Sequence, residues 1–192
     1  LRADVEVGCY LSGGLDSTVT TSYATKCSNK KVKTFSLVFD DKEFDESPYQ
    51  RKAKELLRTE HTEVHCEDAR IASEFESVVW FSESPLFRTA PAPMKILANG
   101  VNKKKIKVVL TGEGADELLG GYNIFKEMKI RRFWAKNPES RFRPSLLTRL
   151  YPYLPHIRQA KVNHLKLFFG YKLLEVDSPI YSHLLRWNNS NK

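Results

Sequence analysis

The chain has few of the features that mark secreted, membrane and metal-binding proteins. Its 192 residues include three cysteines, odd in number and widely spaced, so neither a disulfide framework nor a zinc site is indicated. No apolar run approaches the roughly 18 residues that a membrane span needs, and the N-terminus lacks a signal-peptide pattern. The five histidines have no metal-ligand spacing. We therefore expect a cytoplasmic protein without a membrane segment.

The first part of the chain has almost no net charge, and the net positive charge lies in the last part. Residues 1–122 carry 17 Lys and Arg against 19 Asp and Glu, whereas residues 123–192 carry 14 against 4. The basic part also contains aromatic residues, as in Arg131-Arg132-Phe133-Trp134, which is a pattern that can bind nucleic acid. Solvated Lys and Arg faces are common, however. We therefore do not expect a nucleic-acid partner, although the composition leaves that alternative open.

The first informative motif is a turn that follows the buried-strand pattern of residues 5–11. Its sequence is Ser12-Gly13-Gly14-Leu15-Asp16-Ser17. The glycines allow backbone N–H groups to approach an anion closely, the serines add hydroxyl groups, and the helix that follows directs its N-terminal amides to the same place. The aspartate repels an anion, so its presence indicates a divalent cation such as Mg²⁺ between carboxylate and phosphate oxygens. The turn therefore predicts a phosphate site.

The second motif repeats this design, with a strand over 107–111 and another glycine-containing turn. The turn reads Thr111-Gly112-Glu113-Gly114-Ala115-Asp116-Glu117. Two such turns at the carboxyl edge of one parallel sheet contribute to a shared crevice. We expect Asp16 and Asp116 to meet there over one metal ion.

Together the two turns resemble the synthetase domain of glutamine-dependent asparagine synthetases, which belongs to the PP-loop ATP pyrophosphatases. The kinase and GTPase loop is excluded because its Gly-Lys-Ser/Thr ending is absent. The resemblance covers residues 1 to about 122 well and the rest loosely. It implies ATP and Mg²⁺ as cofactors, cleavage of ATP between the α and β phosphorus atoms, and adenylation of a carboxylate.

The resemblance also implies roles for individual residues. Nucleotide contacts fall on Tyr10, Leu11, Ser12, Gly13, Gly14, Leu15, Asp16, Ser17, Leu37, Thr111 and Gly112, with Leu37 beside adenine. Asp16 and Asp116 match the carboxylates of the Mg²⁺–pyrophosphate site. Glu113 matches a glutamate that acts on the acyl-adenylate, and its alternative role is to cap the following helix. The family has an arginine near the position of Arg88, although the spacing here is about one residue longer. Arg88 is therefore a candidate for contact with phosphate or substrate, and a surface ion pair is its alternative role.

The order of elements predicts an α/β fold with a doubly wound parallel sheet. Strands are expected over 5–11, 33–39, 62–65 and 107–111, and helices over 17–27, 47–58, 68–82 and about 91–101. Residues 84–93 contain three prolines and should form a rigid loop. We expect a nucleotide-binding core over 1–122 and a basic helical extension over 123–192, with short helices joined by turns.

The expected activity is ATP-dependent formation of an amide, most simply asparagine from aspartate. Ammonia would come from a glutaminase domain that this chain lacks, and no segment after Tyr122 matches the family's downstream substrate-binding segment. We therefore expect a fragment of a larger amidotransferase, with a homo-oligomer compatible with the sequence. Three alternatives stay open. The first comprises related synthetases that act on another carboxylate, such as β-lactam synthetases, lasso-peptide cyclases and sugar-modifying amidotransferases. The second comprises PP-loop RNA-modifying enzymes, and the third is a noncatalytic scaffold, which the two intact candidate metal carboxylates disfavour.

Overall fold

The protein is divided into two compact units. The structure is a computed structural model that describes residues 3–190. Unit 1 comprises residues 1–113 and unit 2 comprises residues 114–192. We predicted a domain boundary after residue 122. The two compact units divide between residues 113 and 114, so residues 114–122 belong to unit 2.

Unit 1 is built on a four-stranded parallel sheet with the order β3-β2-β1-β4. The strands are β1 (Val7–Tyr10), β2 (Lys33–Phe39), β3 (Glu60–Cys66) and β4 (Val108–Leu110). The connecting helices are α1 (Leu15–Lys26), α2 (Ser47–Leu57), α3 (Asp68–Ser82) and α4 (Pro91–Lys103). The predicted α/β fold with a parallel sheet is therefore confirmed.

The sheet of unit 1 is covered on both faces, as expected for parallel strands. Phe35 of β2 packs against Leu97 and Val101 of α4 on one face. Cys9 lies opposite Thr34, so its side chain is on the other face, where it packs against Ala24 of α1. Burial raises the pKa of the Cys9 thiol, which is consistent with its predicted role as a core residue.

The proline-rich segment before α4 forms the predicted break between helices. α3 ends at Ser82, and the chain has no regular helix or strand again until α4 begins at Pro91. Pro91 and Pro93 lie in the first turn of α4, where a helix does not need their missing N–H groups. The segment between the helices thus delivers Arg88 from a loop.

Unit 2 consists of short helices joined by turns, as predicted. They are α5 (Ala115–Leu119), α6 (Asn123–Ala135), a 3-10 helix (Arg143–Arg149), α7 (Pro155–Arg158), α8 (Val162–Phe169) and α9 (Leu184–Ser190). Its apolar core includes Trp134, Leu147, Leu165 and Phe169. Throughout residues 3–190, no helix is both long and apolar enough to cross a membrane.

Two charged side chains of α6 are buried within unit 2. The Arg131 guanidinium donates to the carbonyl oxygens of Phe169 (3.0 Å), Tyr181 (3.0 Å) and Tyr171 (2.6 Å), and it stacks on the Tyr181 ring. Burial lowers the pKa of Arg131, although a guanidinium stays protonated in proteins.

Glu127 is the second buried charge of α6 and is 1% exposed. Its carboxylate accepts two hydrogen bonds from Arg186, at 2.6 and 2.7 Å, and one from the Tyr151 hydroxyl. Burial and the bond to Glu127 raise the pKa of Tyr151 to about 12. Hydrogen bonding therefore determines the packing of α6 as much as apolar contact does.

Candidate functional site

The turn after β1 has a backbone that requires glycine. Gly13 has a φ of +84°, in the left-handed region. A β-carbon on Gly13 would lie 2.8 Å from the Gln50 backbone nitrogen and 2.8 Å from the Tyr49 β-carbon. The first turns of α2 therefore pack directly against the predicted phosphate loop, and only glycine fits between them.

The two serine hydroxyls of this turn are used within the turn itself. The hydroxyl oxygens of Ser12 and Ser17 are 2.9 Å apart. The Ser17 hydroxyl also lies 3.2 Å from the Gly14 carbonyl oxygen, so its proton goes either to that carbonyl or to Ser12. The Ser12 oxygen accepts from the Gly14 nitrogen (3.2 Å). The two hydroxyl groups thus hydrogen-bond within the loop and help to shape it.

The backbone amides at the start of α1 are the remaining donors. Gly14 is the N-cap residue and provides no side-chain cap, while the first helical bond runs from the Thr18 nitrogen to the Gly14 carbonyl. The N–H groups of residues 15–17 therefore precede the helical hydrogen-bond pattern. Such a helix start, with the positive end of the helix dipole, suits a phosphate group.

Strand order places the second turn beside the first. The chain runs from β1 outward through β2 to β3 and then returns to β4 on the other side of β1, so β1 is the topological switch point. A β-carbon on Gly112 would lie 2.9 Å from the Ser17 nitrogen and 3.1 Å from the Asp16 β-carbon. The loop after β4 thus touches the head of α1, as the sequence predicts.

A large cavity of about 1400 Å³ opens at the carboxyl side of the sheet in unit 1. Leu37, Arg88 and Glu113, predicted from three separate parts of the sequence, all line it. The other charged lining residues are Asp40, Asp41 and Asp68, and the aromatic ones are Phe39, Phe44, Phe75 and Phe87. Among the lining residues that the structure describes, Arg88 is the one Lys or Arg residue. It is therefore the lining residue whose charge suits an anionic part of a ligand.

Glu113 has an exposed side chain at the end of unit 1. Its backbone nitrogen donates to the Thr111 hydroxyl at 3.3 Å, which forms a small turn after β4. The next helix, α5, has Gly114 as its N-cap, so Glu113 lies outside the capping position of that helix. Glu113 is one of the residues that line the cavity.

Tyr10 and Leu11 can contact a nucleotide only through their backbone. Leu11 is fully buried, and Tyr10 packs against the core around Phe35. Burial also raises the pKa of the Tyr10 phenol. The neighbouring Leu15 is 79% exposed and is available from solvent.

Asp16 fits a magnesium site that relies on phosphate and water. It lies half-buried in the first turn of α1 and has no ion-pair partner among the residues that the structure describes. Within residues 3–190 no group of three or more His, Cys, Asp or Glu side chains could hold a metal ion. Mg²⁺ commonly binds one or two carboxylates and completes its shell with phosphates and water, so Asp16 is an adequate protein ligand.

Asp116 belongs to unit 2, where it lies in the first turn of α5. Its carbonyl accepts from the Gly121 nitrogen at 3.0 Å, and this bond closes the turn after α5. The shared metal site of Asp16 and Asp116 stays a prediction.

Comparison with known proteins places these features in a family. The family described as asparagine synthase matches residues 1–186. The chain belongs to the asparagine synthase family. It is 38% identical over 127 residues to the glutamine-hydrolysing asparagine synthetase 1 of Bacillus subtilis, across 66% of this chain and 20% of that protein. It is also 37% identical over 140 residues to the amidase chyE of Penicillium rubens, across 66% of this chain and 21% of that protein. The matched region is thus about a fifth of these relatives.

The sequence analysis did not identify Gln50 as a residue of the candidate site in this member of the asparagine synthase family. Gln50 is buried between the phosphate loop and β2, where its side-chain nitrogen donates to the Leu37 carbonyl at 2.9 Å. A signal was present in the sequence, because Ser47, Gln50 and Ala53 form the inward row of the amphipathic α2. A glutamine in the middle of such a row indicates a specific polar partner.

Proposed function

We propose that the chain is the nucleotide-binding part of an ATP-dependent, amide-forming ligase. The observation that carries this proposal is the close contact of Gly112 with the head of α1, because it joins two anion-compatible loops at the switch point of a parallel sheet. The neighbouring cavity supplies space for a nucleoside and a second substrate.

In the proposed reaction, the N–H groups at the start of α1 bind the β and γ phosphates of ATP. An acceptor carboxylate attacks the α-phosphorus, the bond to the bridging oxygen of the β-phosphate breaks, and pyrophosphate leaves. Asp16, together with Asp116, would hold Mg²⁺, which neutralises charge on the phosphates. The main contribution of the protein is to position groups and stabilise charge.

The acyl-adenylate then reacts with ammonia. The nitrogen lone pair attacks the acyl carbon, AMP leaves with the electrons of the broken C–O bond, and the nitrogen loses a proton. We assign the receipt of that proton to Glu113, because this residue lines the cavity. Arg88 lies on the same cavity and binds the anionic phosphate or carboxylate.

The acceptor that we propose is the side-chain carboxylate of aspartate, with ammonia from a glutaminase domain. Similarity to the B. subtilis synthetase supports this choice. A different carboxylate is the second candidate, supported by similarity to a relative named as an amidase. The protein would act without a membrane or nucleic-acid partner.

The proposal is tested by measuring pyrophosphate release by the full natural protein that contains this chain. With ATP, Mg²⁺, ammonia and aspartate, we expect stoichiometric pyrophosphate, AMP and asparagine. Pyrophosphate release that requires a carboxylate other than aspartate would favour the second candidate. ADP as the product, or no nucleotide cleavage with any carboxylate, would contradict the proposal.

A further inference from the structure

Gln50 is a buried amide at a position where an apolar residue would be expected. It is 3% exposed and lies on the inward row of α2. Its Oε1 atom has no hydrogen-bond partner within the part of the chain that the structure describes. A buried, unpaired acceptor destabilises a fold. Leucine or methionine would fill the same space without that penalty, so stability alone does not account for glutamine here.

The contacts of Gln50 connect two segments that face the nucleotide site. Its backbone nitrogen packs against Gly13 of the phosphate loop. Its side-chain Nε2 donates to the Leu37 carbonyl at 2.9 Å. A single residue of α2 therefore contacts both Leu37 and the phosphate loop.

The Leu37 backbone is exposed to a ligand because the neighbouring strand ends before it. The last bond between the first two strands runs from the Leu11 nitrogen to the Phe35 carbonyl, at 2.9 Å. Leu37 is two residues further along β2, so its N–H and carbonyl groups point to the same side as those of Phe35. On that side the chain has already left β1 for the phosphate loop, and Leu37 lines the cavity.

An extended residue with a free backbone edge presents a donor and an acceptor side by side. In adenine the 6-amino group is a hydrogen-bond donor and ring nitrogen N1 is an acceptor, so the base presents the complementary pattern. A carbonyl oxygen has two lone pairs, so the Leu37 oxygen can accept from Gln50 and from one ligand group at the same time.

We propose that Gln50 is a positioning residue that makes the site select adenine, by fixing the Leu37 carbonyl where it accepts a hydrogen bond from the 6-amino group. This inference rests on the proposed function. Gln50 does not touch the base, and it acts through the Leu37 carbonyl alone. Loss of the Gln50 amide should therefore weaken the binding of only those nucleotides that carry the 6-amino group.

The test compares two nucleotides on this chain by calorimetry with Mg²⁺ present. They are ATP and purine riboside triphosphate, which lacks the 6-amino group. We expect the unmodified chain to prefer ATP about tenfold, which is the effect of one well-placed hydrogen bond. Gln50→Leu should lower the affinity for ATP about tenfold and change the affinity for purine riboside triphosphate by less than about twofold. Gln159→Leu, at an exposed glutamine in unit 2, should change neither.

Three results would overturn the inference. The first is an equal loss of affinity for both nucleotides in Gln50→Leu. The second is an unchanged affinity for ATP in that variant. The third is an unmodified chain that binds the two nucleotides with equal affinity. Gln50→Met is the second variant, because its unbranched side chain fills a similar volume without an amide group. Absence of any Mg²⁺-dependent triphosphate binding would instead contradict the proposed function, and this inference with it.

Discussion

Gly112 and Ser17 are in backbone contact, although 95 residues separate them in sequence. The contact brings the loop after β4 against the first turn of α1, so two turns that look alike in sequence form one surface in space. Because the contact involves main-chain atoms, it leaves no room for a side chain at position 112.

Replacing Gly112 with alanine should therefore destabilise unit 1. The new β-carbon would lie 2.9 Å from the Ser17 nitrogen, and backbone atoms cannot move away as a flexible side chain could. We expect a loss of about 1–3 kcal/mol in the free energy of unfolding, measured by thermal denaturation. Gly14→Ala is the control for stability, because its φ of −69° suits any residue and its nearest contact is the Ser12 hydroxyl at 3.3 Å. Equal stability of the two variants would argue against a tight contact at Gly112.

Asp16 should be required for pyrophosphate release. In the full natural protein, Asp16→Asn removes the charge that would hold Mg²⁺ but keeps the size of the side chain. We expect a fall of about 10²-fold or more in Mg²⁺-dependent pyrophosphate release, with any glutaminase activity intact. Asp4→Asn, at an exposed acid near the N-terminus, is the control. If Asp116 shares the metal, Asp116→Asn should behave in the same way, and a fully active Asp116→Asn protein would contradict the shared site.

Glu113 should act on the intermediate and not on ATP binding. Glu113→Gln keeps size and hydrogen-bonding capacity but cannot accept a proton, so amide formation should fall about 10²-fold or more with nucleotide affinity little changed. The measurement is amide yield in single-turnover experiments beside calorimetric ATP affinity. A purely structural role of Glu113 in the turn before α5 would instead give near-normal turnover and a loss of about 1 kcal/mol in stability. Glu55→Gln, at an exposed position on α2, controls for the general effect of losing a surface charge.

His61 should make the stability of unit 1 depend on pH. Its ring nitrogens hydrogen-bond to Thr34 (2.9 Å) and Ser36 (3.0 Å). Burial, helped by the charge of Lys54 and opposed by Glu63, lowers the pKa of His61. The unfolded chain then binds the proton more tightly, so the stability is present above an ordinary histidine pKa of about 6.5 and is lost as pH falls below it.

The measurement for His61 is the free energy of unfolding between pH 8 and pH 5. The slope from one proton is at most about 1.4 kcal/mol per pH unit. His61→Gln should flatten the profile, whereas His65→Gln, at an exposed position of β3, should leave it unchanged. A His61→Gln profile as steep as that of the unmodified chain would assign the pH dependence to other groups.

Arg131 should be essential for the packing of unit 2. Arg131→Met removes the donors from several buried carbonyl groups, so we expect a loss of at least about 3 kcal/mol. Hydrogen exchange of peptides over residues 169–181 measures the effect, because Arg131 binds carbonyl groups at both ends of that segment. Arg132→Met, at the exposed neighbour, should cost less than about 1 kcal/mol. Similar exchange in both variants would show that the buried guanidinium is dispensable.

Most of the fold of unit 1 could be predicted because its local signals agree. The predicted strand over 33–39 matches β2 residue for residue, and the predicted helix over 68–82 matches α3. The errors are at ends, where β3 begins two residues earlier than predicted. Apolar strands separated by glycine turns and amphipathic helices leave few other arrangements.

The site was less predictable than the fold. Sequence identified Leu37, Arg88 and Glu113, which line one cavity, but the hydrogen bonds of Ser12 and Ser17 within the loop were not predicted. The contact of the two serines with an anion stays a prediction. Gln50 was missed because its importance depends on a carbonyl of β2 that is distant in sequence. The burial pattern of α2 indicates that Gln50 has a polar partner, but only the three-dimensional fold identifies that partner.

The buried residues of α6, which are Glu127, Arg131 and Trp134, limit the substitutions that this sequence can accept during evolution. A helix buried through apolar side chains accepts many exchanges of similar volume, because hydrocarbon contact has no direction. Arg131 instead donates directed hydrogen bonds to the carbonyl groups of Phe169, Tyr181 and Tyr171. Replacement of Arg131 therefore cannot be rescued by adding apolar volume nearby. Only a coordinated change in α6 and in the 169–181 segment would restore unit 2, so these positions should vary together or not at all.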